Sequence, residues 1–147
     1  MRLAKLLSAV FLVCLSLNVH ANELIMHRST QSFPEAMLTL QNTIAEHGYK
    51  VSRVQRVDIG LTKSGYKTDK YRIVFFGKAS ELKAIKQKAP ELLAYLPIKI
   101  SIFAEGNETL LIALKPSYYK RFIKDEKIRN MITHWENDLL SILGDVD

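Results

Sequence analysis

The chain has 147 residues, a formal net charge of +6 and a single cysteine, Cys14. This length suits one domain with its own hydrophobic core and is too short for two. The mild positive charge favours acidic partners or anionic surfaces, and it does not by itself indicate nucleic acid, which we do not expect as a partner.

The first 21 residues have the features of a cleaved secretory signal. Arg2 and Lys5 form a positively charged start, an apolar run of 12 residues extends from Leu6 to Leu17, and Val19-His20-Ala21 fits a small-x-small cleavage site. The apolar run is too short for a membrane span, which needs about 20 residues. We therefore expect a mature chain that begins at Asn22, has no transmembrane segment, and works in the periplasm or outside the cell.

Cys14 lies inside this apolar run, and Val13 before it is not the small residue that a lipoprotein signal requires. A mature chain of residues 22–147 would therefore contain no cysteine. That excludes disulfides, thiol catalysis, cysteine-bound zinc, iron–sulfur clusters and cysteine-attached haem. The mature chain would carry 19 basic and 15 acidic residues, a net charge of +4, and we expect it to form a single domain.

A strand and a helix are predicted at the start of the mature chain. Leu24–Thr30 reads as the strand. Ser32 and Glu35 have the spacing of a capping box, Pro34 falls in the first turn, and Gly48 provides the stop signal. We therefore expect a helix from about residue 33 to residue 47.

Two strands with a loop between them are predicted next. Val51–Ile59 alternates imperfectly, and Tyr71–Phe76 alternates well. The second strand is apolar on both faces, which indicates a central position in the sheet. Residues 60–69 contain two glycines and two lysines and are predicted as a loop.

The rest of the chain predicts a helix capped by Ser80, a short helical turn from Pro90, a hairpin that turns at Gly106-Asn107, and a last helix capped by Asp125. Apolar residues repeat every three or four positions around Trp135 in that helix, which indicates a buried stripe. Tyr118 and Tyr119 before it are expected to seal one end of the core, and the alternative is a lid over one end of the sheet. The order β-α-β-β-α-β-β-α suggests an α+β fold, a two-layer sandwich with helices packed against a mostly antiparallel sheet.

Several short pieces of the chain occur in an order that one known family shares. They are Phe33, Gly48, Tyr71–Gly77, Pro90-Glu91-Leu92, Leu96-Pro97, Ile98–Phe103 with Glu105-Gly106, and Leu114-Lys115-Pro116. In this order the chain resembles the bacterial family called domain of unknown function 302 over nearly all of residues 24–143. The resemblance implies a compact α+β sandwich, and it implies no common activity and no site residues.

The chain departs from the pattern of that family directly after Gly77. Many members carry Asn-Pro at this point, whereas Lys78-Ala79 stand here. If the turn belongs to a site in other members, the site is expected to be altered in this chain.

A basic stretch is the clearest candidate for a binding site. Seven basic residues and only two acidic ones lie between Lys50 and Arg72. We predict that the loop and the strand after it bind an anionic group, through the residues Lys63, Tyr66, Lys67, Tyr71 and Arg72. A guanidinium can hold a carboxylate or phosphate with two parallel hydrogen bonds, and tyrosine offers a flat surface with a polar tip. The alternative is a solvated basic face of two strands.

Metal, cofactor and catalytic motifs are not apparent in the sequence. Met131 and His134 have a spacing that would suit copper, but Met131 falls in the apolar stripe and His134 on the polar side. Nucleophile motifs are absent, and the paired carboxylates Glu105 and Glu108 flank a turn, where such pairs are usually solvated. We therefore predict no metal site, no cofactor and no catalytic residues.

Two classes of function remain open. The first is a non-enzymatic module that binds an anionic small molecule or an acidic protein; such small exported domains commonly act as dimers, so a homodimer is an open alternative to a monomer. The second is an enzyme, or a protein that handles metal or haem, whose site is assembled from scattered residues. The absence of any recognisable reactive motif favours the binding module.

Overall fold

The structure is a computed structural model that describes residues 23–147. The expected signal, residues 1–21 with Cys14, and the expected first mature residue Asn22 lie outside the described residues. The strands are β1 (Leu24–Ser29), β2 (Lys50–Arg56), β3 (Tyr71–Gly77), β4 (Ile98–Glu105) and β5 (Glu108–Leu114). They form one five-stranded sheet in the order β1-β5-β4-β3-β2, and every neighbouring pair is antiparallel.

Four α-helices accompany the sheet: α1 (Phe33–Glu46), α2 (Val57–Lys63), α3 (Leu82–Lys88) and α4 (Glu126–Gly144). Three short 3-10 segments, Ala79–Glu81, Pro90–Tyr95 and Pro116–Phe122, connect them to the strands. The buried side chains of α1, α3 and α4 join one face of the sheet in a single core. The predicted two-layer α+β fold is therefore confirmed.

Both long helices begin where the sequence indicates. The backbone N–H of Ser32 donates to the Glu35 carboxylate at 3.1 Å, and the Ser32 hydroxyl donates to the same oxygen at 2.6 Å. Asp125 accepts the backbone N–H of Ile128 at 3.1 Å at the start of α4. These bonds satisfy amide groups that a helix start leaves without intrahelical partners. Gly48, with φ +76°, follows α1 in a conformation that favours glycine.

The apolar stripe of α4 is buried, as the sequence predicts. Trp135 is only 2% exposed and lies among the largest buried side chains, whereas its neighbour His134 is exposed. Met131 is half-buried at the edge of the stripe. Within residues 23–147, no helix has the length and apolar character that crossing a membrane would require.

Three local predictions are wrong. Residues 57–59 belong to α2 and not to a strand, and the predicted loop at residues 60–69 is helical up to Lys63. The β-branched Val57 and Ile59 suggest a strand, but Asp58 between them pairs with Arg72 in β3, and this contact accompanies a helical turn beside the sheet. Ser80 does not cap α3, because it lies inside the 3-10 segment that precedes Leu82.

The sheet has one covered and one open face. Ile100, Ile102 and Leu111 point into the core and are fully buried. The alternate residues of the same strands point to the other side, where every side chain is half-buried or exposed. We call this side the open face. Its apolar centre consists of Met26, Tyr71, Ile73, Phe103, Leu110 and Ile112.

The strand β2 forms one edge of the sheet and contains a bulge. Its register against β3 shifts between Val51 and Arg53. The hydroxyl of the intervening residue, Ser52, donates a hydrogen bond of 3.2 Å to the carbonyl of Phe75. Such an extra residue bends a strand and increases its twist.

Candidate functional site

The basic residues singled out by the sequence are divided between different surfaces. Lys63 ends α2, and Tyr66 and Lys67 follow it in an exposed turn. Tyr71 and Arg72 are neighbours in β3 and therefore point to opposite sides of the sheet. The structure keeps Lys63, Tyr66 and Lys67 together in one exposed stretch and separates the other two from each other. Ligand binding by these residues stays a prediction.

Arg72 has partners within the fold. Its guanidinium donates to Asp58 and to the backbone carbonyl of Tyr71, and it lies 5.8 Å from the centre of the Phe33 ring. The hydrogen bond from Arg72 holds the pKa of Asp58 below its usual value. Tyr71 lies on the open face, where its ring packs edge-on against Phe103 at 5.9 Å. Both residues therefore have structural contacts of their own.

A mostly apolar cavity of about 440 Å³ opens at another place, between the sheet and α3. We call it the Trp135 cavity. Apolar side chains supply most of its wall: Val51, Leu82, Ile85, Leu93, Leu96, Ile98 and Trp135. Ile85 and Trp135 are almost completely buried, so they close its inner side, whereas Leu82 and Leu93 are exposed near its mouth.

The turn after β3 contributes the polar side of the cavity. Gly77, Lys78 and Ala79 line it together with Glu81 and with Lys50, the first residue of β2. Lys50 is exposed. The register of the sheet pairs Lys50 with Gly77, so Lys50 and the turn lie side by side at the same end of the strands. Two ammonium groups and one carboxylate therefore belong to this site.

Most polar groups around the cavity are hydrogen-bonded or ion-paired with one another. The indole Nε1 of Trp135 donates to Oε2 of Glu81 at 3.0 Å, and the hydroxyl of Tyr49 donates to Oδ2 of Asp138 at 2.7 Å. Lys78 Nζ lies 3.7 Å from the same Asp138 oxygen and 4.0 Å from the centre of the Tyr49 ring. Burial, followed by the bond to Asp138, raises the pKa of Tyr49 far above its usual value. Tyr49 is therefore a neutral hydrogen-bond donor at physiological pH.

A second, more polar cavity of about 530 Å³ lies at the start of α1, beside the β4–β5 turn. Phe33, Lys70 and Asn107 contribute to its wall, with backbone from the turns. The ammonium of Lys70 lies 5.9 Å from the centre of the Phe33 ring. Asp69 and Glu35 also line it, so the cavity has both signs of charge and a more polar wall than the Trp135 cavity.

The three histidines of residues 23–147 lie at separate places in the structure. His27 Nε2 is 3.8 Å from Asp147 Oδ1, and His47 Nδ1 is 3.7 Å from Asp138 Oδ1. His134 is exposed on α4. Across residues 23–147, no group of three or more histidine, cysteine or carboxylate side chains is arranged to hold a metal ion.

The aromatic pair Tyr118 and Tyr119 belongs to a small cluster at one end of the core. Tyr119 is buried, and its ring centre lies 4.8 Å from that of Tyr95. Tyr118 packs against the core, and the guanidinium of Arg121 lies 3.6 Å from its ring centre. Burial raises the pKa of Tyr119. The pair seals the core, as the sequence predicts.

The sequence does not predict the Trp135 cavity, although two features singled out in the sequence lie on its wall. The Lys78-Ala79 dipeptide, at which the chain departs from the expected family pattern, lies on the cavity wall. The sequence predicts Trp135 only as a buried core residue, and in the structure it also forms part of that wall. Neither feature indicates a cavity until α3 and the segment Pro90–Tyr95 are placed against α4.

Comparisons with known proteins agree on the fold. Residues 25–146 match the family described as domain of unknown function DUF302. A crystal structure of an uncharacterized conserved DUF302 protein from Bacillus stearothermophilus superimposes with a TM-score of 0.78 at 16% sequence identity, over 86% of this chain and 100% of that chain. No curated protein matches the chain. At this identity the structural likeness concerns the fold alone.

Proposed function

The chain belongs to the DUF302 family, whose description assigns no function, and from this premise we propose that it is a non-enzymatic module that binds a small amphipathic anion in the Trp135 cavity. The anionic preference follows from the basic character of the chain, and we propose the Trp135 cavity as the site in place of the basic loop. The observation that carries the proposal is the apolar cavity beside two lysines.

The size and wall of the cavity suit a small ligand. Small-molecule sites typically have volumes of about 300–1,000 Å³, with mostly apolar walls and a few polar groups that orient the ligand. The Trp135 cavity, at about 440 Å³, falls in this range. A ligand with an apolar body would cover Leu82 and Leu93, which are 43% and 37% exposed in the structure. Burial of this surface would supply the main driving force for binding.

The charges at the cavity favour an anionic head group. Of the two lysines at the cavity, Lys78 has its ammonium 3.7 Å from Oδ2 of Asp138, so Lys50 is the lysine that would pair with a ligand. The carboxylate of Glu81 already accepts a hydrogen bond from Trp135. Lys50 is exposed and free to turn toward a ligand, because lysine has a flexible stem and three donors. A carboxylate or phosphate at the mouth would pair with it while the apolar body lies inside.

The arrangement supports binding rather than catalysis. Tyr49 is a neutral donor that already donates a hydrogen bond to Asp138, and the carboxylate of Glu81 already accepts a hydrogen bond from the indole of Trp135. A catalytic acid or base needs an accessible proton position and a pKa near the working pH. The polar groups named here are instead hydrogen-bonded within the protein.

We extend the proposal to the location of the protein. The charged start, the short apolar run and the Val19-His20-Ala21 site support export to the periplasm or the medium. A site of this kind would then hold an amphipathic anion, or the acidic group of a partner protein, outside the cytoplasm.

The fluorescence of Trp135 tests the proposal, because this residue is the single tryptophan of the sequence and lines the cavity. We expect titration with decanoate to change the emission in a saturable way, and decanol, with the same chain and a neutral head, to bind more weakly. Lys50→Gln should weaken decanoate binding by about three- to tenfold, a modest effect because the ion pair would be partly exposed to solvent.

Lys83→Gln is the matched control, since Lys83 is exposed on α3 and does not line the cavity. It should leave the affinity for decanoate unchanged. No saturable emission change with decanoate, together with no bound mass in native mass spectrometry, would refute the site. Equal affinities for decanoate and decanol would refute the anionic preference.

A further inference from the structure

The open face of the sheet presents apolar side chains where a solvent-facing sheet normally presents polar ones. Five aliphatic and aromatic residues at its centre are only half-buried, and Met26 is 59% exposed. The buried side chains of α1, α3 and α4 all pack on the opposite side, and α2, which contacts β3, has no buried residue. Large exposed apolar patches on soluble proteins usually mark sites of interaction.

We propose that the open face binds the open face of a second copy of this chain, in a two-fold symmetric dimer. Sheets that pack face to face lie about 10 Å apart and interdigitate the side chains of their inner faces. A two-fold interface uses the same patch on both copies, so the patch must be complementary to itself. Its area and its charges are both consistent with this requirement.

The area of the face is sufficient for a specific dimer. Five strands at about 4.8 Å spacing, each with about seven residues that rise 3.3 Å, form a face of roughly 500 Å² in projection. Two such faces would bury about 1,000 Å² or more, because side chains roughen the surface. This reaches the lower bound of about 1,000 Å² for a specific protein interface.

The charges on the open face are divided between its two ends. Glu105 and Glu108 lie directly opposite each other at the hairpin end, and Arg28 pairs with both. Lys99 and Arg53 lie at the other end, beside Phe75 in the register of the sheet. The hairpin end therefore has a net charge of −1, and the opposite end has a net charge of +2.

This division selects one arrangement of the two copies. A two-fold axis that runs across the strands reverses the strand direction in the second copy. The acidic end of each copy then meets the basic end of the other, at both edges of the apolar centre. An axis parallel to the strands would instead place like charges together, which is destabilising. The face is thus complementary to itself in the antiparallel arrangement.

Sedimentation velocity across the micromolar concentration range tests the proposal. We expect the wild-type chain to form a dimer. Ile112→Lys, at the centre of the face, should weaken dimerisation by at least about tenfold, because it would bury a charge without a partner. Leu38→Lys is the matched control, since Leu38 is 61% exposed on α1, away from the sheet, and should leave the dimer unchanged.

Two further variants test the interface and its orientation. Met26→Lys places a charge on the same face at an edge-strand position that is already 59% exposed, so the folded monomer should tolerate it. This variant keeps the test decisive if Ile112→Lys does not fold. Circular dichroism shows which variants are folded. Lys99→Glu should weaken the dimer, because it leaves the opposite end of the face without a net charge. A monomeric wild type, or a dimer that survives Met26→Lys and any folded Ile112→Lys protein, would overturn the proposal. A Lys99→Glu variant without effect on dimerisation would overturn the antiparallel arrangement.

Discussion

The indole of Trp135 in α4 donates a hydrogen bond of 3.0 Å to the carboxylate of Glu81, which lies 54 residues earlier in the chain. This bond joins the last helix to the 3-10 segment that follows β3. Both residues line the Trp135 cavity, so the contact fixes two of its walls relative to each other. The stability of the core and the shape of the cavity therefore depend on the same side chain.

Replacement of Trp135 should destabilise the protein strongly. Trp135→Ala is expected to lower the free energy of unfolding by about 3–5 kcal/mol, as large-to-small core substitutions do. His134→Ala, the exposed neighbour, should change it by no more than about 0.5 kcal/mol. Chemical denaturation of the two variants measures both values. Equal losses would contradict the assignment of the buried face of α4.

The turn after Gly77 should control the charge preference of the cavity. Lys78 has an extended backbone and Ala79 is the first residue of the 3-10 segment, so an Asn-Pro pair fits here without strain. Lys78→Asn/Ala79→Pro should lower the affinity for decanoate and leave that for decanol nearly unchanged, as measured by tryptophan emission. Ala79→Pro alone keeps the ammonium group and serves as the control. A loss of affinity for both ligands would indicate a change of shape rather than of charge.

The Asp58–Arg72 pair should make the fold sensitive to acid. The folded-state pKa of Asp58 is lowered, so its contribution to stability is present above the unfolded pKa of about 3.9 and is lost as the pH falls through the folded value. Denaturant unfolding between about pH 5 and pH 2 should therefore show a steeper loss for wild type than for Asp58→Asn. Glu35 and Asp125 also have lowered pKa values, so the variant should retain part of the acid sensitivity. Parallel pH profiles for the two proteins would contradict this role of the pair.

The exposed stretch with Lys63 and Lys67 should attract acidic partners through charge alone. A labelled polyglutamate peptide is expected to bind wild type at low salt, to bind Lys63→Ala/Lys67→Ala more weakly, and to dissociate from both at high salt. Arg72→Ala should instead reduce thermal stability, because Arg72 pairs with Asp58 within the fold. Binding that is unaffected by the double variant would leave this stretch as an ordinary solvated surface.

The mature protein should begin at Asn22. Expression of the full chain in a host with a secretion pathway, followed by N-terminal sequencing of the exported fraction, tests the predicted cleavage after Ala21. Retention of the intact chain in the membrane fraction would contradict cleavage. The placement of the function outside the cytoplasm would then need revision.

Local signals in the sequence predict most elements of the fold. The capping residues Ser32 and Asp125 mark the two long helices, and Gly106-Asn107 marks the hairpin, because each acts through a few neighbouring backbone groups. Val57 and Ile59 give a wrong signal, because their β-branched side chains suggest a strand. In the structure they lie in a helix, and Asp58 between them pairs with Arg72, which lies 14 positions later in the chain.

The candidate site depends on contacts that no local pattern contains. The Trp135 cavity is the space left where α3 and two 3-10 segments meet α4 and the sheet, and hydrophobic periodicity does not indicate how completely such elements fill the space between them. The open face illustrates a related ambiguity. The apolar residues on both sides of β3 predict a central strand, and β3 does lie between two neighbours. The same pattern cannot distinguish a side that helices cover from one that they leave exposed.

The bulge in β2 has a consequence for assembly in concentrated solution. An incoming strand can extend a sheet only if the edge offers a regular row of free amide and carbonyl groups. At this edge the shift between Val51 and Arg53 interrupts the row, and Lys50, Arg53 and Arg56 place positive charges along it. The edge is thus a poor template for fibre growth. Strand addition at the β2 edge should therefore not extend the sheet into filaments.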